Sequence, residues 1–144
     1  ASSWSLFAMH QPCISLSSGE SDMPMAGGVN LIFVPEAFFS LAQWAMICPD
    51  ARSKPFDARA TGFVRAEGCG LMVSKRLSDA VADNASILAV IQGSAVNQEG
   101  KSRGLTVPKG EAHQKMLPQA LKATGKIRTK KPTEAHGTGT QLAT

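Results

Sequence analysis

Apolar residues recur at helical spacing through the opening stretch "SWSLFAMHQPCISLSSG", at Leu6, Phe7, Met9, Ile14 and Leu16. The spacing predicts a helix, with Pro12 expected to kink or shorten it and Gly19 to end it. The run "MPMAGGVNLIF" is short, apolar and broken by Gly27 and Gly28, which suits a buried strand leading into a turn. In "PEAFFSLAQWAM" a proline suited to the first helical position is followed by Phe38, Phe39, Leu41, Trp44 and Ala45 on one broad face. Between Cys48 and Gly70 the pattern becomes irregular, and its scattered Phe56, Phe63 and Val64 predict a structured loop instead of a linker. "GLMVSKRL" reads as a strand, and "SDAVADN" as a helical turn with Ser78 as N-cap. The near-continuous apolar run "ILAVIQGSAV", residues 87–96, predicts the best strand of the chain, buried on both faces. An amphipathic helix follows in "GEAHQKMLPQALKATG", interrupted by Pro118 and stopped by Gly125. "KKPTEAHGTGT" reads as a last short strand running into a glycine turn.

Strands alternating with helices argue for an α/β fold with a mixed or parallel sheet. A length of 144 residues suits one domain with a real core, and 43% apolar with 18% charged residues is a globular balance. No run approaches the length a membrane span needs, so no membrane partner is expected. The start "ASSWSLF" lacks an initiator Met and the basic opening of a signal peptide, which hints at a piece of a longer protein. Cys13, Cys48 and Cys69 are widely spaced and form no CxxC pair. A disulfide framework or metal site is therefore not expected, and a reducing, cytoplasmic setting fits best. The net charge of +4 is concentrated locally in "KIRTKK". That patch reads as a solvated loop or, more sharply, as a docking patch for an acidic partner. No aromatics interleave with its charges, so nucleic acid is not expected as a partner.

Three histidines could carry chemistry. His10 and His113 lie in helices and read as surface or satisfied residues. His136 differs, because it precedes a Gly-Thr-Gly-Thr turn in "EAHGTGT", residues 134–140. Imidazole transfers protons and stabilises charge near neutral pH, and glycines let a substrate approach the backbone closely. From the residues alone, a structural histidine in a tight turn is an equal alternative. The GxSxG elbow of a hydrolase is absent, and Gly93-Ser94 reads as strand interior. Neither GxGxxG nor GxxxxGKS occurs, so nucleotide binding has no support. Glu67, in "AEG" beside Arg65, reads as part of an ion pair or loop hydrogen bond before any general acid or base.

Taken in order, "SGESDMPMAGGVNL", "CPDARSKPFDARATGFVRAEGCG", "ILAVIQGSAVNQEGKSRGLTVPKG" and "EAHGTGT" resemble the β-ketoacyl synthase (ketosynthase) domain of a modular type I polyketide synthase. The resemblance runs over nearly the whole chain. It implies a thiolase-like fold of layered sheets and helices, with residues 1–144 forming part of one domain: the end of its N-terminal half and the start of its C-terminal half. It implies an acyltransferase that acts as a homodimer beside neighbouring synthase domains in a cytoplasmic enzyme. Such an enzyme condenses acyl and malonyl-type thioesters with loss of CO2. No cofactor is bound directly; the phosphopantetheine arm of an acyl carrier protein brings the substrates.

The resemblance also assigns roles. The family's nucleophilic cysteine, at a helix N-terminus that lowers its pKa, falls on Ser2 here. His136 corresponds to a histidine that stabilises charge on the extender's thioester oxygen. Thr138 and Thr140 match threonines that contact the pantetheine arm. Several positions depart from the pattern: Ser2 itself, Trp4 beside it, Pro12 in the first helix, Lys131-Pro132 before the final motif, and "GTGTQLAT" after it. With the family's second histidine and its lysine falling beyond Thr144 and the nucleophile changed, the isolated chain is expected to be inactive. Two other functions stay open: a non-condensing variant that decarboxylates malonyl groups, and a non-catalytic carrier-docking segment.

Overall fold

The structure, a computed structural model, describes residues 3–101, 109–125 and 134–140. Along the chain run α1 (Trp4–Ser18), β1 (Met25–Asn30), α2 (Glu36–Gln43), β2 (Gly68–Val73), α3 (Leu77–Ala82) and α4 (Gly110–Ala123). The chain divides into two compact units. One gathers Ala1–Val29, Cys69–Gln98 and Glu111–Arg128; the other gathers Asn30–Gly68, Glu99–Gly110 and Thr129–Thr144.

In the first unit, α1 begins with the Phe7 N–H donating to the Ser3 carbonyl at 2.8 Å. It passes through Pro12 without a break, so the expected shortening does not occur. The proline forfeits one hydrogen bond within the helix but buries its ring. Gly19 ends α1 in the left-handed conformation, as its sequence implies. β1 and β2 pair with each other. Ser74 N–H donates to the Pro24 carbonyl at 2.9 Å, while Gly27 lies against Gly70 and Leu71. These contacts run in opposite order along the two strands, so the pair is antiparallel.

Helix α3 starts one residue before the expected Ser78 cap. Its N-cap is Arg76, and no side chain caps it. The Ser78 hydroxyl instead donates to Asp79 Oδ1 at 2.9 Å. Arg76 is committed elsewhere: its guanidinium donates to the carbonyls of Leu16 (3.2 Å) and Ser21 (2.9 Å) and pairs with Asp79 (2.7 Å) and Asp22. One side chain thus ties the end of α1 to the start of α3. Helix α4 runs through Pro118, and Gly125 follows it with a φ of +64°.

The predicted strand over residues 87–96 is not formed. A β-branched run favours burial, but a strand also needs a neighbour to complete its hydrogen bonds. None is described beside it, and Leu88 is 97% exposed. Gly93-Ser94 is accordingly no strand interior. The Ser94 hydroxyl bonds His10 Nδ1 at 2.8 Å, which makes His10 the satisfied helix residue its position suggests.

The second unit holds α2, which follows Pro35 as N-cap and ends before Trp44. Its expected apolar face is only partly covered: Phe38 lies 5.0 Å beneath the Arg65 guanidinium, while Phe39 and Trp44 are exposed. Ala45 lies outside the helix with a φ of +52°. Glu67 accepts the Ile32 N–H at 2.6 Å, the loop hydrogen bond anticipated for it. A parallel bridge joins Ile47 to Phe63. Among the described residues the sheet is the two-stranded antiparallel β1–β2 pair, so the mixed or parallel sheet expected from the sequence is not seen there.

Among the described residues the buried apolar side chains are small, Cys48, Ala60, Ala80 and Ala112 beside the Pro12 ring. Large ones such as Trp4, Phe33 and Leu88 stay exposed. Extensive exposed apolar surface marks faces that pack against something else.

Candidate functional site

The irregular stretch after Cys48 proves to be the most densely bonded loop of the second unit. Reciprocal backbone bonds open and close it: Cys48 N–H donates to the Phe63 carbonyl at 3.0 Å, and Phe63 N–H donates to Met46 at 2.8 Å. Inside, the buried Cys48 thiol donates to Asp50 Oδ1 at 2.6 Å and lies 3.1 Å from the Arg52 carbonyl and 3.2 Å from Thr61 Oγ1. The other Asp50 oxygen pairs with Lys54. The Cys48 thiol, with Lys54 behind it, holds the Asp50 carboxyl down to about 2. Asp57 accepts from the Arg59 backbone at 2.8 Å and from its guanidinium at 2.9 and 3.1 Å. Those bonds likewise lower its carboxyl to about 2. Ser53 Oγ takes the Val64 N–H at 3.0 Å.

This loop carries the His136 turn. Gly62 N–H donates to the Gly139 carbonyl at 2.9 Å. A Cβ on Gly139 would stand 3.2 Å from both the Gly62 carbonyl oxygen and the Lys54 nitrogen. Gly137, whose Cβ would meet the Pro55 ring at 3.3 Å, and Gly139 have φ of +48° and +73°, conformations that other residues rarely hold. The motif's glycines therefore serve close packing as well as the turn itself. Residues 134–140 form no strand, because two left-handed residues cannot continue a pleat. Residues 130–133, expected to share that strand, lie outside the described residues.

Of the residues singled out in the sequence, His136, Thr138 and Thr140 lie together in the described turn. His136 is exposed, while Thr138 and Thr140 are half-buried with their hydroxyls 3.2 Å apart. The turn thus presents an imidazole and a coupled hydroxyl pair within five residues. Such a set can donate to an oxygen that gains charge and hold a polar chain beside it. Ser2 and the "KIRTKK" patch lie outside the described residues. His113 is exposed on α4. Among the described residues no His, Cys, Asp and Glu group could hold a metal ion, and no helix is long and apolar enough to cross a membrane.

Sequence reasoning missed Cys48, Asp50, Lys54 and Gly62 as the residues that hold the turn. Their only signal is the spacing Cys-x-Asp-x-x-x-Lys. That spacing suggests an ion pair on a helix, and this segment is not helical.

Residues 1–80 match the model of the β-ketoacyl synthase N-terminal domain, and residues 88–143 match that of the C-terminal domain. The chain belongs to the β-ketoacyl synthase family. Among its relatives, one component of the phenolphthiocerol/phthiocerol polyketide synthase of Mycobacterium tuberculosis is 49% identical over 99% of this chain. Another component of that synthase, from the same species, is 45% identical, also over 99%. The chain spans only 6% and 9% of those two proteins. Among solved structures, an oxazolomycin ketosynthase domain from Streptomyces albus JA3453 superposes with a TM-score of 0.91 at 37% identity. It aligns with 97% of this chain and 25% of its own. The module 6 ketosynthase of the bacillaene synthase from Bacillus subtilis 168 gives 0.87 at 36% identity, over 96% of this chain and 25% of its own. Over the part it spans, the chain has the thiolase-like fold of these ketosynthase domains.

Proposed function

We propose that this chain is the central part of a ketosynthase domain, joining the end of its N-terminal half to the start of its C-terminal half. The enzyme carrying it extends a polyketide by decarboxylative Claisen condensation. The observation that carries this reading is the His136 turn, pinned at Gly139 by the loop that begins at Cys48. An acyl group first passes from a carrier thioester to the nucleophile at position 2, releasing the carrier thiol. A malonyl-type thioester then loses CO2, and the resulting carbanion equivalent attacks the acyl carbonyl. A carbon–carbon bond forms and the nucleophile departs. His136 donates to the extender's thioester oxygen as negative charge builds there. Thr138 and Thr140 bond the amides of the phosphopantetheine arm, which fixes the thioester beside His136.

The partners that follow are an acyl carrier protein, neighbouring synthase domains and a second copy in a dimer, in a cytoplasmic enzyme. The polyketide synthase relatives and the ketosynthase structures support this setting.

Ser2 favours a second reading for the enzyme. A serine hydroxyl gains far less than a thiol from a helix N-terminus, because its pKa starts much higher. Acyl transfer to Ser2 is therefore slow, and malonyl decarboxylation at His136 becomes the surviving activity.

The test is a decarboxylation assay on malonyl-charged carrier protein, using the full-length enzyme that contains this chain. His136→Ala is expected to lower kcat about 100-fold or more, with Ser2→Cys raising condensation over the unaltered enzyme. Unchanged decarboxylation in His136→Ala would remove the reading.

A further inference from the structure

The Cys48 thiol is buried, bonded and nucleophilic in type, yet the proposed chemistry does not use it. It heads a continuous chain of contacts that ends on the His136 turn. The thiol donates to one oxygen of Asp50, and the other oxygen pairs with Lys54. The Lys54 backbone lies against Gly139, at the distance where a single added carbon would crowd it. Thr61, also in contact with the thiol, precedes Gly62, whose N–H holds the Gly139 carbonyl. The two routes, through Asp50–Lys54 and through Thr61–Gly62, therefore converge on one residue of the turn. The carboxylate between thiol and ammonium stays ionised down to about pH 2, so the link persists at neutral pH.

We propose that Cys48, Asp50 and Lys54 act together as positioning residues that hold the His136 turn in place. This rests on the proposed role of His136. Cys48 does not touch substrate. Its function is to keep Asp50 turned toward Lys54, which would otherwise be free to leave Gly139. A thiol suits the task because it is small enough to be only 4% exposed at the base of the loop and still has a proton to give.

The experiment uses the full-length enzyme with Cys48→Val, Cys48→Ser and Asp50→Asn. Amide hydrogen exchange over residues 134–140 is read alongside the kinetics of malonyl-thioester decarboxylation. In Cys48→Val and Asp50→Asn the turn is expected to exchange about tenfold faster, with kcat about tenfold lower and KM unchanged. Cys48→Ser keeps a donor and is expected to restore both. A general loss of packing would accelerate exchange across the whole unit and would not be rescued by serine. If Cys48→Val does not fold, Asp50→Asn carries the test, because it preserves shape at an exposed position. Unaltered exchange over 134–140 in Asp50→Asn would overturn the proposal, as would serine failing where valine fails. Should the unaltered enzyme show no decarboxylation while the exchange pattern holds, the positioning role of Cys48, Asp50 and Lys54 stands and the reading of His136 falls instead.

Discussion

Two stretches of this chain reverse what their compositions promise. Residues 87–96 are β-branched and apolar, yet they form no strand and leave Leu88 97% exposed. The loop from Cys48 to Gly62 is rich in turn formers and charges, yet it is stitched by a buried thiol, two ionised carboxylates and backbone bonds at both ends. The contrast separates two kinds of instruction. An apolar run states a demand for burial, which only a partner can meet. A polar loop with donors and acceptors at short range meets its own demand. The first depends on context, and the second is complete within the segment.

The sharpest way to break this contrast is to spoil the loop. A Cβ at Gly62 would stand 2.6 Å from the Cys48 nitrogen, the Ile47 carbonyl carbon and the Met46 oxygen, at a φ of +142°. Gly62→Ala is expected to destabilise the second unit by about 3 kcal/mol, read by chemical denaturation. A loss below about 1 kcal/mol would mean that the loop yields as easily as an ordinary surface turn.

Acid gives a gentler probe. Asp50 and Asp57 are both depressed to about 2 from an ordinary 3.8. A carboxyl whose folded value is depressed stabilises the fold above its unfolded value, and that contribution disappears as pH falls through the folded one. The loop is therefore expected to hold at pH 5 and to loosen between about pH 4 and 2. The amide resonances of Gly62 and Gly139 should move together in that window, while those of residues 87–96, which contain no carboxylate, stay still. Movement of all of them together would merge the two regions into one.

In the isolated chain the smallest effect belongs to Leu88→Asp. At a side chain already in water, the stability of the isolated chain should change by less than about 0.5 kcal/mol. The isolated chain is expected to associate through its exposed apolar segments, and this substitution should weaken that association in analytical ultracentrifugation. In the full-length enzyme, where the stretch is expected to be covered, the same change should cost about 3 kcal/mol. Equal, negligible costs in both settings would show that residues 87–96 are natural surface.

What could be read beforehand follows the same division. Helices α1 and α4 were legible because their signals are local: apolar spacing and a terminal glycine at Gly19 or Gly125. Ser78 misled because a cap depends on which side chain holds the preceding turn, and Arg76 had already tied that turn to α1. The strand over 87–96 misled because β-branching records an environment and says nothing of a partner. At the candidate site, "EAHGTGT" stood out by its residue types, while the roles of Ser2, His136, Thr138 and Thr140 rest on the family resemblance. Cys48 and Asp50 were invisible, since a thiol two residues from a carboxylate has no standard signature outside metal sites and redox pairs.

The Arg76 clasp also has a kinetic meaning. Its bonds to Leu16 and Ser21 join positions 60 and 55 residues apart in the chain. Closing a loop of that size costs about 3.5 kcal/mol in chain entropy beyond a constant, comparable with what two charge-assisted hydrogen bonds return at about 1.5–3 kcal/mol each. The Pro24–Ser74 bond between the strand ends closes nearly the same loop. Whichever contact forms first carries most of that entropy, and the second then forms almost freely. Strand pairing and the anchoring of α1 should therefore appear in folding as one event, with α1 undocked until Arg76 has been synthesised.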